Sequence, residues 1–415
     1  MKIAILGYGL EGKTTEKYFK SHFKDAAIDV FDQETPSEFR KRDYSPYDLV
    51  FRSPSIPPLH LKNETSATKY FFEHCPCQII GVTATKGKGT TCSFVKALLD
   101  VTKKEVYLVG NIGNPALDVL DKLTKNSIVI YELSSFQLWD LKTSPHISII
   151  GHIEPDHLNV HKNYQDYLDA KSHIACYQSD DDYCIYYAKN PETISLAKSS
   201  PAEKIPYPFK LPAEVESAIT VPGLHNRENA MAAIAAVSCL NNISPDEYLR
   251  DFKNEIIKGL KSFHGLPHRL EFIREYRGVK YYDDNFSTNA SSTKVAINAF
   301  PKEKLILILG GRDKTANQDL HEIYNTISMP QVKKIILIGE SGHEIARRYH
   351  DPRFVIVNNL SAAVTSAYLE AEVLKTKHQN RDTIVLMSPA AASFDMFKNV
   401  YDRGEQYQNF VKRLK

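Results

Sequence analysis

Cysteine is scarce in this sequence. Six cysteines are scattered over 415 residues, a density far too low for a disulfide-stapled scaffold. The pair Cys75 and Cys77 lacks the two-residue gap of the usual zinc or redox motif, and no second pair accompanies it. We therefore predict buried or incidental thiols.

The chain also lacks long apolar runs and an excess of charge of one sign. No apolar run approaches the ~20 residues that a helix needs to span a bilayer, and the N-terminal residues lack the apolar core of a signal peptide. The formal net charge is +2, which gives no reason to expect nucleic acid or a membrane surface as a partner. We expect a cytoplasmic protein.

Short apolar runs, each followed by a helix-like stretch, are present throughout. They occupy residues 3–6, 79–83, 127–131, 147–150, 305–309, 334–338 and 383–387. Continuous β-rich runs that alternate with helical patterns predict an α/β fold of parallel sheets covered by helices. In such sheets ligands bind beyond the carboxyl ends of the strands, so the segments after these runs are where a site is expected.

Two breaks in composition divide the chain, one near residues 72–77 and one near residues 262–267. Because 415 residues exceed one ordinary domain, we predict three α/β domains at residues 1–77, 78–264 and 265–415. The polar stretch 198–208 is predicted to be a loop, and residues 245–260 to be helical.

A small-residue loop follows the second apolar run. Residues 84–91 read ATKGKGTT and lead into a helical pattern. Backbone N–H groups at such a loop can surround phosphate oxygens, with Lys88 on the β- and γ-phosphates and a following hydroxyl on Mg²⁺. The Walker pattern fails at Val82 and at Gly89, so an ordinary glycine-rich turn is the alternative.

The N-terminus offers a second glycine motif. Gly7, Gly9 and Gly12 follow a strand and open a helix, and Asp32 comes twenty residues later. This spacing matches the dinucleotide fingerprint, so a nicotinamide-dependent oxidoreductase is one hypothesis. The segment before the next domain is short for a whole dinucleotide-binding fold, however.

Several segments, in colinear order, resemble motifs of the Mur ligase family. GVTATKGK at residues 81–88 resembles its GVTGTNGK, and ELSSFQ at 132–137 is similar to ELSSFQL of the D-glutamate-adding members. The others are DHL at 156–158, YLDAK at 167–171, GLHNRENA at 223–230, GLPHRLE at 265–271, DDNFSTN at 283–289, GGRDK at 310–314, SPAAASFDMF at 388–397 with RG at 403–404, SPSIP at 53–57 and NIG at 111–113.

The resemblance implies a fold and a set of roles. The fold is a small Rossmann-like N-terminal domain, a central P-loop ATPase-like domain with a mostly parallel sheet, and a C-terminal Rossmann-like domain. The implied ATP-binding residues are Thr85, Lys86, Gly87, Lys88, Gly89, Thr90, Thr91, Asn226, Asn229, Arg269 and Asp284. The implied metal ligands are Thr90, favoured over Thr91, with Glu132, His157 and Lys171. The implied UDP-substrate-binding residues are Gly9, Leu10, Asp32, Ser53, Pro54, Asn111, Ser134 and Gln137.

The implied catalytic residues are Lys88, Asp156, His157 and Lys171, with the choice between Asp156 and His157 as base left open. The implied amino-acid-binding residues are Thr288, Lys314 and Ser393. Other roles compete for some positions: Glu132, Asn226 or Ser393 could cap a helix, His157 could be a hydrogen-bonded core residue, and an isolated lysine such as Lys171 is usually a solvated surface residue.

The function implied is ATP-dependent ligation of D-glutamate to UDP-N-acetylmuramoyl-L-alanine through an acyl phosphate, in peptidoglycan precursor synthesis. ATP, two Mg²⁺ sites, a carbamylated Lys171 and a monomer are expected with it. Phe286 replaces a lysine of the family motif, so a related ligase adding another amino acid is the first alternative. A nucleotide-binding oxidoreductase or a non-catalytic relative, suggested by the residues at 7–12 and by Gly89, is the second.

Overall fold

The computed structural model describes residues 1–312, 320–377 and 382–415. The first elements are β1 (Lys2–Leu6), α1 (Leu10–His22), β2 (Ala27–Phe31), α2 (Pro36–Lys41), β3 (Leu49–Arg52), β4 (Glu64–Thr65) and α3 (Ala67–His74). They build a parallel sheet of order β2-β1-β3-β4. Its loops at Gly7, Asp32 and Ser53 follow β1, β2 and β3, so they share one edge of the sheet.

The central elements form a second parallel sheet. They are β5 (Gln78–Thr83), α4 (Lys88–Asp100), β6 (Val106–Gly110), β7 (Ile128–Glu132), α5 (Ser135–Leu138), β8 (Ile147–Ile150), α6 (Tyr164–Ser172), β9 (Tyr183–Tyr187), α7 (Pro191–Lys198), β10 (Glu203–Tyr207), α8 (Ala213–Ser217), α9 (Leu224–Leu240), α10 (Pro245–Asp251) and α11 (Lys253–Ser262). The order is β10-β9-β8-β5-β7-β6. Strands β7 and β8 are buried throughout, which is why each reads as an unbroken apolar run.

The last elements form a third sheet. They are β11 (Glu271–Tyr276), β12 (Val279–Asp283), α12 (Ala290–Asn298), β13 (Lys304–Gly310), α13 (Leu320–Ile327), β14 (Val332–Ile338), α14 (Gly339–Arg348), β15 (Phe354–Ile356), α15 (Leu360–Lys377), β16 (Thr383–Met387) and α16 (Val400–Lys412). The order is β11-β12-β16-β13-β14-β15, and only the β11–β12 pair is antiparallel. The predicted α/β class with parallel sheets is confirmed.

The described residues cluster into two compact units. One comprises Met1–Ala218 with Arg227–Ser262, and the other comprises Ile219–Asn226 with Phe263–Lys415. The first two sheets share the first unit, where the buried Arg52 guanidinium lies 2.6 Å from the Asp140 carboxylate. The three-domain division therefore stays a prediction. No helix in the described part of the chain is long and apolar enough to cross a membrane.

One local prediction is wrong, and another is confirmed with a break. The stretch 198–208 is not simply a loop, because β10 pairs with β9 at the sheet edge and buries Ile205 and Tyr207. An edge strand tolerates polar residues and Pro206, so its sequence reads as a loop. Residues 245–260 form two helices, α10 and α11, because the backbone leaves the helical region at Phe252 (φ −119°, ψ 27°).

Candidate functional site

One cavity of about 570 Å³ gathers loops from the carboxyl ends of both sheets of the first unit. The predicted residues that line it are Gly9, Leu10, Asp32, Ser53, Pro54, Thr85, Lys88, Asn111, Ser134, Asp156, His157 and Lys171. Strands β6, β7, β5 and β8 are neighbours, so the loops that follow them open at one edge. Residues far apart in the chain, all from predicted motifs, therefore meet in a single space.

The predicted phosphate loop lies between β5 and α4, as a strand–loop–helix unit requires. Gly87 is the residue before α4 and is left-handed (φ 87°), a conformation that favours glycine. A Cβ built there would lie 2.9 Å from the Asn229 side-chain oxygen, so that side chain would have to shift. The Lys88 amine donates to the Ala84 carbonyl at 2.9 Å and to the Thr85 carbonyl at 3.1 Å. The Lys88 amine thus lies against the predicted phosphate-binding loop.

The hydroxyls after Lys88 differ in their surroundings. Thr91 is buried, and its hydroxyl donates to the Gly87 carbonyl at 3.0 Å within the helix. Thr90 is half-buried. Lys86 is exposed, and its amine lies 2.7 Å from the Glu154 carboxylate. The Thr91 hydroxyl is thus already used within α4, and the preference for Thr90 as the metal ligand stays a prediction.

Lys171 is a buried residue and not a solvated surface lysine. Only 1% of it is exposed, and its amine donates to the Thr83 hydroxyl at 3.1 Å and to the Ala84 carbonyl at 3.0 Å. The amine also lies 4.8 Å from the centre of the Tyr167 ring. Burial, reinforced by the Lys88 cation, lowers the pKa of Lys171 well below its ordinary value, while Asp156 acts against that shift. A neutral amine is the form that can act as a nucleophile.

Tyr167 is a cavity residue that the sequence analysis did not assign. Its hydroxyl lies 2.8 Å from the Thr85 hydroxyl, and Thr85 also donates to the Glu154 carbonyl at 3.0 Å. Burial raises the pKa of Tyr167 to about 12, so the phenol stays protonated. Its place as the first residue of the motif at 167–171 was the available signal.

Asp156 and His157 lie together on the loop after β8. The His157 backbone N–H donates to the Asp156 carboxylate at 2.9 Å, and the imidazole Nε2 lies 3.6 Å from the other carboxylate oxygen. His157 is left-handed (φ 54°), and its ring lies 4.9 Å from the Phe136 ring. About half of the imidazole is exposed (49%). His157 is therefore not a core histidine.

The segment after β7 shows whether Glu132 caps a helix, one of the two roles that the sequence left open for it. Ser134 caps α5: its hydroxyl accepts from the Gln137 N–H at 3.2 Å, and the Gln137 side chain accepts from the Ser134 N–H at 3.0 Å. Glu132, the last residue of β7, is therefore not the helix cap. Gln137 is buried and donates to the Glu11 carboxylate at 2.8 Å. Gln137 is thus occupied beneath the cavity, whereas Ser134 lines it.

The glycine motif after β1 is held by its neighbours. The Tyr8 N–H donates to the Asp32 carboxylate at 2.9 Å, and the Ser53 hydroxyl donates to the Gly7 carbonyl at 2.9 Å. Gly7 is left-handed (φ 82°). The loops after β1, β2 and β3 therefore form one connected rim of the cavity.

The predicted helix start at residues 223–230 is confirmed, because α9 begins at Leu224. The Asn226 side chain donates to the Pro222 carbonyl at 2.7 Å. Asn229 lies beside Gly87 within the first unit. The two asparagines thus have different surroundings.

In the second unit, loops follow the neighbouring strands β12, β16 and β13. Asp284 is buried, and its carboxylate accepts from the Ser388 hydroxyl at 2.8 Å. Burial raises the pKa of Asp284 to about 7. Ser393 is buried in a turn and does not cap a helix, because α16 begins at Val400. Lys314 lies outside the described residues.

Phe286, which stands where the family motif has a lysine, packs against Arg269 and Tyr401. Its ring lies 5.3 Å from the Arg269 guanidinium and 5.3 Å from the Tyr401 ring. Thr288 is half-buried nearby in the chain. The buried Arg403 guanidinium donates to the carbonyls of Ala391 and Ala392 at 3.1 and 3.2 Å. Arg403 therefore fixes the loop that carries Ser393.

One cluster with metal-ligand chemistry occurs among the described residues, and it is not the predicted one. Ligand atoms of His268, Glu271 and Asp283 lie within 4.8 Å of one another. The His268 imidazole lies 2.7 Å from the Asp283 carboxylate, and the Gln408 amide donates to Glu271 at 2.9 Å. These hydrogen bonds account for the cluster without an ion.

Comparison with known proteins gives matches along most of the chain. Residues 82–216 match the Mur ligase middle domain, and residues 268–390 match the Mur ligase, glutamate ligase domain. The UDP-N-acetylmuramoylalanine--D-glutamate ligase of Ruminiclostridium cellulolyticum is 30% identical, over 100% of this chain and 97% of that protein. The protein of the same name from Thermoanaerobacter pseudethanolicus is 33% identical, over 91% of this chain and 87% of its own length.

Solved structures show the same fold at low identity. UDP-N-acetylmuramate-alanine ligase from Thermotoga maritima aligns with a TM-score of 0.58 at 17% identity, over all of both chains. Folylpolyglutamate synthase from Mycobacterium tuberculosis, solved with ADP, aligns with a TM-score of 0.59 at 12% identity, over 84% of this chain and 94% of that one.

Proposed function

This chain belongs to the Mur ligase family of ATP-dependent, amide-bond-forming ligases, and from that premise we propose that it adds D-glutamate to UDP-N-acetylmuramoyl-L-alanine. Relatives that carry this activity in their names match the chain over nearly its whole length. The observation that carries the proposal is the single cavity that joins the phosphate loop to the loops after β1, β2 and β3. Family membership removes the reason for the oxidoreductase hypothesis.

We assign residues 1–77 to the UDP-substrate, residues 78–264 to ATP, and residues 265–415 to the incoming amino acid. Gly9, Leu10, Asp32, Ser53, Pro54, Asn111 and Ser134 line the cavity and are assigned to the UDP-substrate. Gln137 is given a supporting role through Glu11 instead. A cytoplasmic monomer is the assembly that we propose.

The reaction begins with ATP bound at residues 85–91. The N–H groups at the start of α4 and the Lys88 amine hold the phosphates, and Lys88 stabilises the charge on the transferred phosphoryl group. The carboxylate of the muramoyl-alanine attacks the γ-phosphorus, and ADP leaves, which yields an acyl phosphate. Asn229 lies beside Gly87 in the first unit and is assigned to the nucleotide. Asn226, Arg269 and Asp284, in the second unit, stay predicted nucleotide-binding residues.

The amine of the incoming amino acid then attacks the acyl carbon. A tetrahedral intermediate forms, the amine loses a proton, and the C–O bond to phosphate breaks to leave the amide. Asp156 and His157 line the cavity side by side and are the candidates that accept the proton. A half-exposed imidazole can pass that proton to solvent.

The donor set after β5, β7 and β8 fits Mg²⁺. Thr90 and Glu132 offer the oxygen atoms that this ion prefers, and His157 adds a nitrogen. Glu132 is not used as the cap of α5, and Thr91 rather than Thr90 is bonded within α4. When bound, Mg²⁺ neutralises charge on phosphoryl oxygens. Lys171, as a carbamate, would present a further anionic oxygen donor.

A lysine carbamate needs a neutral amine, and the surroundings of Lys171 supply one. Burial and the Lys88 cation both disfavour the ammonium form. Carbon dioxide adds to the nitrogen of the neutral amine and one proton leaves, so the neutral amine becomes a carbamate anion. The nearby positive charge of Lys88 would stabilise that anion.

Thr288, Ser393 and Lys314 are assigned to the incoming amino acid. A second candidate function is ligation of a different amino acid, and Phe286 favours it. The phenyl ring removes a cation from the family motif and contacts Arg269. A less anionic side chain than that of D-glutamate would suit this change.

The test is ATP-dependent phosphate release with UDP-N-acetylmuramoyl-L-alanine and a panel of amino acids. We expect release with D-glutamate and none with L-glutamate, glycine, L-lysine or meso-diaminopimelate. Release only with another amino acid would support the second candidate, and no release with any acceptor would refute both. Exposed Lys125→Ala serves as the active control for Lys88→Ala.

A further inference from the structure

A second cavity of about 320 Å³ lies in the first unit, apart from the residues assigned above. We call it the Trp139 cavity, after its lining residues Arg40, Trp139, Asp140, Lys142, Lys162 and Asp166. Its volume is at the lower end of the roughly 300–1,000 Å³ that small-molecule sites occupy. No role in the proposed reaction uses it.

The cations around the Trp139 cavity are available to an anionic group. Arg40, Lys142 and Lys162 have no ion pair within 4.0 Å among the described residues. The lining also carries three carboxylates: Asp140 lies 2.6 Å from the buried Arg52, Asp166 lies 2.9 Å from His161, and the exposed Asp169 accepts from the Gln165 amide at 2.7 Å. Burial lowers the pKa of His161, and Arg52 also lies 3.2 Å from the Glu64 carboxylate, so these contacts leave no net positive charge. The three cations are thus unpaired without being in excess.

Its wall also presents aromatic surface. Trp139 is the one tryptophan of the chain, and it is half-buried. Its ring contacts His161 at 4.6 Å and Phe136 at 5.7 Å between ring centres, which fixes its orientation. His60, His173 and Tyr177 line the same space. Planar rings beside unpaired cations suit a ligand with a planar ring and an anionic group.

Two short polar connections join this cavity to the cavity of about 570 Å³ described above, which we call the catalytic cavity. In the first, His161 lies between Asp166, at 2.9 Å from its Nδ1, and the Ser135 hydroxyl, at 3.0 Å from its Nε2. His161 is 2% exposed, and Ser135 lines the catalytic cavity. Because the carboxylate accepts from Nδ1–H, Nε2 accepts from Ser135.

The second connection passes through Arg52. Its guanidinium binds Asp140 at one end and donates to the Ser53 carbonyl at 3.3 Å and the Ile56 carbonyl at 2.6 Å at the other. Ser53 belongs to the loop assigned to the UDP-substrate and lines the catalytic cavity. Each connection therefore has one end in each cavity.

We propose that the Trp139 cavity binds an anionic ligand of the nucleoside monophosphate class and that its occupation changes the affinity of the catalytic cavity for the UDP-substrate. A ligand beside Asp140 and Asp166 changes the partners of Arg52 and His161, which hold Ser53 and Ser135. Linkage makes the effect reciprocal, and couplings of this kind span roughly 5- to 150-fold. The first part of this proposal, ligand binding in the Trp139 cavity (the binding half), does not depend on the proposed function. The second part, the change in affinity for the UDP-substrate (the coupling half), rests on it.

The binding half is tested by the fluorescence of Trp139, which reports on this cavity without interference from other tryptophans. The probe is inosine monophosphate, whose base is neither the adenine nor the uracil of the proposed substrates; inosine and inorganic phosphate are the half-ligands. We expect a saturable change with inosine monophosphate at submillimolar concentration and at least tenfold weaker binding of either half-ligand. No saturable change up to about 10 mM would overturn the proposal.

Variants locate the binding. Arg40→Glu with Lys142→Glu should weaken inosine monophosphate at least tenfold, because both side chains are exposed cations of the cavity wall. The control, Lys24→Glu with Lys125→Glu, makes the same charge change at exposed positions outside both cavities and should bind within twofold of wild type. Equal weakening in both pairs would show a nonspecific charge effect and overturn the site.

The coupling half is measured as the KM for UDP-N-acetylmuramoyl-L-alanine with and without inosine monophosphate. We expect a change of fivefold or more in wild type and none in Arg40→Glu with Lys142→Glu. In His161→Phe, which keeps a ring but breaks the hydrogen bonds, the probe should still bind with a reduced effect on KM. Binding with an unchanged wild-type KM would overturn the coupling. An enzyme inactive with every acceptor would refute the proposed function, while the fluorescence result still decides the site.

Discussion

Replacing Lys171 with Met separates the chemistry of this residue from its packing. The side chain is 1% exposed, and Met has a similar length without the amine. The two acceptors of the amine keep other partners: the Thr83 hydroxyl donates to the Leu133 carbonyl at 2.9 Å, and the Ala84 carbonyl accepts from Lys88 at 2.9 Å. Neither is left unsatisfied, so the lost hydrogen bonds cost about 1 kcal/mol each at most.

Removing a desolvated amine acts in the opposite direction. The pKa of Lys171 is lowered in the folded protein, so between its folded and unfolded pKa values the unfolded state binds the extra proton, and stability falls as pH falls through that window. Met removes this penalty. We expect the free energy of unfolding at pH 7 to stay within about 1 kcal/mol of wild type, and its pH dependence to become flatter.

Catalysis should respond very differently. If Lys171 supplies an anionic oxygen to the phosphoryl-transfer site, its loss removes a preorganised electrostatic contact, for which losses of about 100- to 1,000-fold in kcat are typical. Phosphate release measures this loss, with Lys125→Met as the surface control. In Lys171→Ala, the vacated space should admit a short carboxylic acid such as acetate, with partial recovery of activity. Wild-type activity in both variants, or a loss matched by unfolding, would refute the reasoning.

Three further predictions concern other residues of the two units. Lys88→Ala should abolish phosphate release while leaving the unfolding temperature near wild type; persistent turnover would contradict its role on the phosphates. Gly87→Ala should lower both the free energy of unfolding and the affinity for ADP, because φ is 87° and the new Cβ meets Asn229. Titration calorimetry measures the ADP affinity, and an unchanged affinity would contradict this prediction. Asp284 has a folded pKa of about 7, above its unfolded value, so its contribution to stability is present at low pH and lost as pH rises from about 4 to about 7. Asp284→Asn should therefore make the unfolding temperature less dependent on pH between about 4 and about 7. An unchanged pH dependence would contradict the raised pKa of Asp284.

The strand–loop–helix units were predictable because their signals are local. The apolar runs at β8 and β16 match the observed strands residue for residue, and the predicted small-residue loop lies directly before α4. Polar edge strands were not predictable in this way, since β10 carries Pro206 and alternates exposed with buried residues. One-sided burial is a property of the sheet, not of the segment.

The candidate site likewise has features that local sequence signals predict and features that only the assembled structure shows. Motif order predicted which residues to examine, and most of those in the first unit line one cavity. It could not predict that Ser134 rather than Glu132 caps α5, because both are polar residues at a strand end. It also could not predict the contacts of Tyr167 and His161, since their partners Thr85 and Ser135 are distant in the chain.

The sequence by itself determined the α/β class, the positions of the glycine loops and the family, because each depends on residue types within a few tens of positions. The tertiary structure decided which carboxyl ends share a cavity, that Lys171 is buried beside Lys88, and that the Trp139 cavity exists. The physical reason is that strand order and burial bring together residues that local patterns cannot pair. Desolvation and neighbouring charge, which set the chemistry of an amine or a carboxylate, exist only once that assembly has formed.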